Sequence, residues 1–199
     1  MGLQRYEIDA KIQDKYNRTV FQHSVYVERP KNLNFSFEDG MNSWYPKGTD
    51  LDNPPVEWSI KPSNNISTEG NTSIRLYLEN VNDAGKIWIE RPFYVKPNTN
   101  YRVEINYDFA SLDWGDFNLW RIIAGVAPEN EGKNYLQFQG DTGIGNKTQE
   151  FKWMEKNYEF NVKSSPKGEL YAMIGIWGNW ETTRMYYIDN VTINFEEIE

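Results

Sequence analysis

Apolar and polar residues alternate along most of this chain. In "YRVEINYDFA" (101–110), Tyr101, Val103, Ile105, Tyr107 and Phe109 share one parity, and Arg102, Glu104, Asn106 and Asp108 share the other. A period of two predicts a strand with one buried and one solvated face. "SIRLYLE" (73–79) repeats the pattern, with Ile74, Leu76 and Leu78 inward. "ELYAMIGIW" (169–177) is apolar on both parities, which predicts a strand covered on both sides. "KIWIERPFYV" (86–95), "LWRIIAGVA" (119–127), "NYLQFQ" (134–139) and "EFKWMEKNYEFNV" (150–162) read as further strands. Turn-forming clusters such as "LENVNDAGK", "PENEGKN" and "SSPKGE" separate them. No stretch holds a 3.6-residue apolar period over three turns. The pattern predicts an all-β, two-sheet antiparallel sandwich or barrel. The stretch 45–65, with Pro46, Pro54, Pro55 and Pro62, reads as a long loop over one edge. Residues 1–30 stand apart: two alternating runs flank "KYNRT" and predict a hairpin extension. "RPKN" (29–32) then forms a junction to a domain over 31–199.

The closing stretch "YYIDNVTINF" (186–195) breaks the pattern. With a period of two, Tyr187, Val191, Ile193 and Phe195 fall on one face, and so does Asp189. A carboxylate on a core face costs several kcal/mol unless it is neutralised or hydrogen-bonded. Two answers are open at this point. A cation could neutralise Asp189, or it could cap a turn or accept backbone N–H groups at a bulge.

Composition narrows the function classes. The chain has 199 residues, 25% of them charged and 16% aromatic, with eight Trp and thirteen Tyr. That is a folded domain with more rings than a core of this size needs. Net charge is −8 with no basic run, which makes nucleic acid a poor partner. Cysteine is absent, so disulfides, thiolate nucleophiles and thiolate metal sites are excluded together. One histidine, His23, lies in the hairpin segment, and neither a Ser/His/Asp triad nor a zinc site is expected on it. Glycosidase chemistry needs two opposed carboxylates. "EIDAKI" (7–12) begins a Glu-x-Asp-x-x-Glu pattern but ends in Ile, so no enzyme is expected. N-x-S/T occurs at Asn17, Asn34, Asn65, Asn71, Asn146 and Asn190.

The stretch "NFSFEDGMNSW" (34–44) resembles the opening of the jelly-roll carbohydrate-binding modules appended to xylanases and cellulases, within the galactose-binding-like superfamily. "EGNTSIRLYL", "VKPNTNYRVEINY" and "GELYAMIGIWGNWETTRMYYIDNVTI" resemble later parts of the same modules in the same order. The resemblance spans about residues 31–197. It implies a galactose-binding-like jelly roll, and a non-catalytic, extracellular or cell-surface module fused to or acting beside a larger exported protein. It also implies a structural Ca²⁺ shared by Glu38 and Asp189 with backbone carbonyls. Asp39 and the carbonyls near Gly70 and Asn71 are further ligand candidates. Such an ion takes six to eight oxygen ligands.

Sugar recognition needs aromatic platforms beside polar groups. The candidates are Trp114, Trp177 and Trp180, with Asp116 and Asn179 orienting hydroxyls; Asp113 and Asn118 lie close by in sequence. Trp44 and Trp88 are assigned to packing, and Trp58 and Trp153 to neither role. The expected partner is a polysaccharide or glycan. A structural or adhesive cell-envelope domain of the same fold is the alternative.

Overall fold

The computed structural model describes residues 3–30, 32–112, 120–130, 132–141, 150–178 and 182–199. The chain divides into two compact units, Met1–Leu33 and Asn34–Glu199.

The first unit is a hairpin. Strands β1 (Leu3–Gln13) and β2 (Thr19–Pro30) pair antiparallel from Leu3↔Pro30 to Ile12↔Phe21, with an irregularity at Gln13. The turn is held by Asp14. Its Oδ1 accepts the N–H groups of Tyr16 (2.8 Å) and Arg18 (3.0 Å), and its Oδ2 pairs with the Arg18 guanidinium. Asn17 supplies the left-handed residue at φ 60°, which asparagine tolerates.

Strand β3 (Asn32–Phe35) ends within the second unit, which contains β4 (Tyr45–Thr49), β5 (Trp58–Ser63), β6 (Ser73–Asn80), β7 (Lys86–Tyr94), β8 (Asn100–Leu112), β9 (Trp120–Ala127), β10 (Phe138–Asp141), β11 (Phe151–Lys163), β12 (Glu169–Gly178) and β13 (Thr182–Glu197). One sheet has the order β10-β9-β12-β7-β4. The other has the order β11-β8-β13-β6-β5, with β3 added beside β13. Described pairs are antiparallel. This is the expected two-sheet antiparallel sandwich.

The alternating residues make the core. Tyr101, Val103, Ile105, Tyr107 and Phe109 of β8 are all buried, and register places Ile193 and Phe195 of β13 beside Ile105 and Val103 on the same face. Ile74, Leu76 and Leu78 of β6 are fully buried. Against them lie Ile87, Ile89 and Phe93 of β7, Leu170, Ile174 and Ile176 of β12, and Ile122 and Val126 of β9. Trp44 is 1% exposed and meets the rings of Phe35 and Phe93 edge-on.

Three expectations need correction. Residues 45–65 are not one loop, because β4 and β5 form there as the edge strands of the two sheets. Proline lacks an N–H and is tolerated at a sheet edge, which accommodates Pro46 and Pro62. Second, most of "NYLQFQ" is not a strand. A 3₁₀ turn at Gly132–Asn134 leads into Tyr135 and Leu136, which pack onto a sheet face, and pairing resumes only at Phe138.

The third correction concerns Asp189. Register pairs Ile188 with the inward Phe109 but Asp189 with the outward Asp108, and Tyr187 with Ala110. A bulge follows between Asp189 and Thr192, with Asn190 at φ 49°. The extra residue reverses parity. Asp189 and Tyr187 therefore lie on the outer face, while Val191, Ile193 and Phe195 face the core. Asp189 is nevertheless fully buried, because the loop 64–72 lies over it.

Candidate functional site

Register builds the outer face of the five-stranded sheet row by row. Lys47 (β4), Trp88 (β7), Gly175 (β12), Ile123 (β9) and Phe138 (β10) form one row. Tyr45, Glu90, Met173 and Gly125 form the row on one side. Thr49, Lys86, Trp177 and Arg121 form the row on the other. Trp88, Met173, Tyr171 and Ala127 make an apolar cluster here, and Tyr135 and Leu136 from the β9–β10 connection pack against it. This cover explains why β12 is apolar on both parities. Trp88 is packed, as expected, but on the outer face rather than between the sheets.

The covering segment stops short of β4 and leaves a groove of about 540 Å³, lined by Lys47, Gly48, Trp88, Glu90, Asn130, Gly132, Lys133 and Asn134. Glu90 is 3% exposed. Its Oε2 accepts the Trp88 indole N–H at 3.2 Å, and its Oε1 lies 3.9 Å from Lys47 Nζ. The backbone of Gly132 rests against the carboxylate, and a Cβ there would overlap Glu90 Oε2. A carboxylate offers about four acceptor positions. Among the described residues one donor lies within hydrogen-bonding distance, and the ammonium stands beyond that distance. Glu90 is thus a buried acceptor with unused capacity at a groove. Sequence reasoning missed it, although an acid inside the apolar run "KIWIERPF" was a visible signal.

Rings flank the groove on the same face. Tyr45, the register partner of Glu90, is 55% exposed. Trp177 is half-buried and its indole N–H donates to the Asp83 carbonyl at 3.1 Å. Lys86 Nζ and Arg121 Cζ stand 4.9 and 5.3 Å from the Trp177 ring centroid, and Phe138 lies 4.9 Å away. Trp177 is therefore a ring dressed by cations, not a bare platform. The other proposed sugar contacts, Trp114, Asp116, Asn179 and Trp180, lie outside the described residues.

Glu38 and Asp189 do meet a common segment. Glu38 Oε1 accepts the N–H groups of Asn71 (3.0 Å) and Thr72 (2.7 Å). Asp189 Oδ2 accepts the N–H groups of Thr68 (2.8 Å) and Glu69 (3.2 Å) and the Thr68 hydroxyl (3.3 Å); its Oδ1 accepts Asn190 N–H (2.8 Å). Asn65 Nδ2 donates to the Tyr187 hydroxyl. The two acids clip the loop 64–72 to the sandwich. Phe37, buried at φ 60°, stores local strain in the turn that presents Glu38.

Donor chemistry tests the calcium expectation. A Ca²⁺ shell needs carbonyl and carboxylate oxygens turned to one point. Here the loop turns N–H groups toward both acids. The carbonyls of Ile66 and Gly70 accept the hydroxyls of Ser73 and Ser67. Among the described residues no three His, Cys, Asp or Glu side chains gather as a metal-holding group. This arrangement suits acids held by backbone amides and does not fit a calcium shell.

No family model matches the chain, and no curated protein matches it. Solved structures do. The CBM22-2 xylan-binding domain from Paenibacillus barcinonensis Xyn10C is 16% identical with a TM-score of 0.49, covering 82% of this chain and 99% of that one. The K1 cleaved adhesin domain of Lys-gingipain from Porphyromonas gingivalis W83 is 15% identical with a TM-score of 0.49, over 82% and 97%. A structure of carbohydrate-binding modules from the β-sandwich superfamily is 13% identical with a TM-score of 0.48, over 98% and 75%. At these identities the likeness concerns the fold.

Proposed function

We propose that the chain binds a polysaccharide or glycan along the outer face of its five-stranded sheet, without cleaving it. The observation that carries this reading is Glu90. A buried acceptor with unfilled positions at a groove calls for hydrogen-bond donors, and vicinal hydroxyls supply them. Trp88 gives the groove an apolar floor, Tyr45 offers an exposed ring at its flank, and Asn130 contributes an amide. Indole, phenol, amide and carboxylate together suit a pyranose, which has apolar faces rimmed by hydroxyls. Hydrolysis by the usual route needs a second carboxylate across the bond. Among the described residues lining the groove, Glu90 is the one acid. Affinity is expected to be weak, because a hydrated sugar gains only its surplus over desolvation and ordering.

The same reading makes the Glu38–Asp189 clip a metal-free structural device, and places the protein outside the cell or on its surface, beside or within a larger exported protein.

Affinity electrophoresis against a panel of soluble polysaccharides tests the binding. Glu90→Gln removes a charged acceptor worth about 1.5–3 kcal/mol and should weaken binding by about tenfold or more. Tyr45→Ala should weaken binding several-fold while leaving the melting temperature within about 1 °C, since an exposed ring contributes little to folding. Single replacements of Trp114, Asp116, Trp177, Asn179 and Trp180 assign each to the site if binding falls while melting holds. Should no polysaccharide bind at high concentration, the structural or adhesive reading replaces this one.

A further inference from the structure

The groove reading leaves the ligand's charge open, and the cations on this face bear on it. The chain carries 29 acids against 21 Lys and Arg, yet the rows around the groove carry Lys47, Lys86 and Arg121, and Lys133 joins them from the covering segment. Lys47 and Lys133 both line the groove, one from β4 and one from the 3₁₀ turn. The acids near them among the described residues are partly occupied. Asp50 is occupied by Lys86 at 2.6 Å. Glu90 is buried and already serves the Trp88 N–H. Glu129 lies in a neighbouring hollow with Lys167 and Glu169. Among the described residues that line the groove there are two ammonium groups and one carboxylate.

Lys47 is the informative group. It stands 3.9 Å from Glu90 and its side chain is 41% exposed. That is an ion pair longer than a hydrogen bond, and the exposed part of the side chain leaves the ammonium open to groove solvent. An ammonium is donor-only and a carboxylate acceptor-only. A ligand that satisfies both must carry hydroxyl donors for Glu90 and strong acceptors for the lysines. Charge raises the acceptor's value, because hydrogen bonds between ionised partners are about twice as strong as neutral ones. Lys86 and Arg121 stand on either side of Trp177 in the next row, with Lys86 paired to Asp50.

We infer that the groove takes an anionic glycan, whose carboxylate or sulfate is held between Lys47 and Lys133 while its hydroxyls donate to Glu90. This rests on the glycan-binding reading above and adds the ligand class to it.

The test compares polymers that differ only in charge: polygalacturonate against its fully methyl-esterified form, and dextran sulfate against dextran, by titration calorimetry with the full chain. Polygalacturonate is expected to bind at least tenfold more tightly than the methyl ester, and to weaken as salt rises from 50 to 300 mM, since added salt screens exposed charge. A preference confined to the dextran pair assigns the site to sulfate. Lys133→Ala should lower affinity for the charged polymer several-fold, and by a larger factor than for the methyl ester. Lys133 is exposed, so this variant tests the lysine without touching Glu90; Lys47→Ala also removes the cation beside Glu90, and should lower affinity for both forms, more for the charged one. Equal binding of charged and neutral partners overturns the inference and leaves the glycan reading standing. Charged-polymer binding that survives the Lys47→Ala/Lys133→Ala double variant also overturns it, by moving the site elsewhere. Failure of every polymer, charged or neutral, removes both.

Discussion

Asp189→Ala is the sharpest test of how the sandwich is closed. The carboxylate accepts three backbone N–H groups, from Thr68, Glu69 and Asn190, and the Thr68 hydroxyl. Hydrogen bonds to a charged group contribute about 1.5–3 kcal/mol each, but the sum is an overestimate here. Thr68 and Glu69 are surface residues, so water replaces part of what they lose. Asp189 also sits opposite Asp108, and Thr68 Oγ1 donates to both. Like charges facing across strands destabilise by up to about 1 kcal/mol, and alanine relieves that. The expected net loss is about 2–4 kcal/mol. At about 2–4 °C per kcal/mol for a domain of this size, the melting temperature should fall by about 4–16 °C. Asp189→Asn keeps the shape and one oxygen, and should lose about half as much. Thermal unfolding by circular dichroism, with calcium or with chelator, reads all of this at once. Wild-type melting should be the same in both. A rise of several degrees with calcium, absent in Asp189→Ala, would refute the amide-held clip and make the acid a metal ligand. A loss under about 0.5 kcal/mol in Asp189→Ala would refute the clip altogether.

Two glycines separate backbone strain from steric contact. Gly40 and Gly70 both have positive φ, 93° and 61°, but a Cβ at Gly40 meets nothing within 4 Å while one at Gly70 overlaps the Glu38 carboxyl. Left-handed backbone alone costs an L-residue about 1–2 kcal/mol; Gly70→Ala should therefore exceed Gly40→Ala by about 1–2 kcal/mol in denaturant unfolding, and equal losses would show that Glu38 is not held there. In the hairpin, the Arg18 guanidinium and then the Arg18 and Tyr16 N–H groups hold the Asp14 carboxyl below its ordinary value of 3.8. A lowered pKa gives stability present above 3.8 and lost as pH falls through the folded value, so the Tyr16 and Arg18 amide resonances should shift with a midpoint below 3.8, and a midpoint at or above it would refute the capped turn.

The sheet elements were legible because burial on one face imposes a period of two. β8 shows this best: its alternation marks the strand and its buried face. What the pattern could not carry was parity through the bulge. One extra residue at Asn190 moves every later side chain to the other face, and nothing in "YIDNVTI" marks the insertion except an Asn able to adopt positive φ. Edge strands were missed for a related reason. Proline reads as a breaker in a central strand, but β4 and β5 each have one open side, and Pro46 and Pro62 fit there.

The site was less legible than the fold, and Asp189 and Glu90 show why. Both are acids set inside apolar strand runs, and both are buried. From sequence they pose one question, and only Asp189 drew attention. The structure separates them by counting donors. Around Asp189 the chain supplies three N–H groups and a hydroxyl, so its demand is met by the protein and its role is to hold the loop. Around Glu90 the described residues supply one indole N–H and an ammonium at 3.9 Å, so demand is left over at a groove. A buried carboxylate is too costly to leave in that condition unless something else completes it. Two of the three N–H donors that complete Asp189, from Thr68 and Glu69, lie about 120 positions away, and the partial set at Glu90 comes from its own strand and its neighbour. Neither set can be counted along the chain. Donor counting thus assigns the first acid to stability and the second to a ligand, and Glu90→Gln divides the two assignments. If it lowers glycan affinity with little change in melting, the leftover demand belonged to a ligand. If it instead raises stability with no change in binding, the carboxylate was only a burden on the fold, and the groove loses its function.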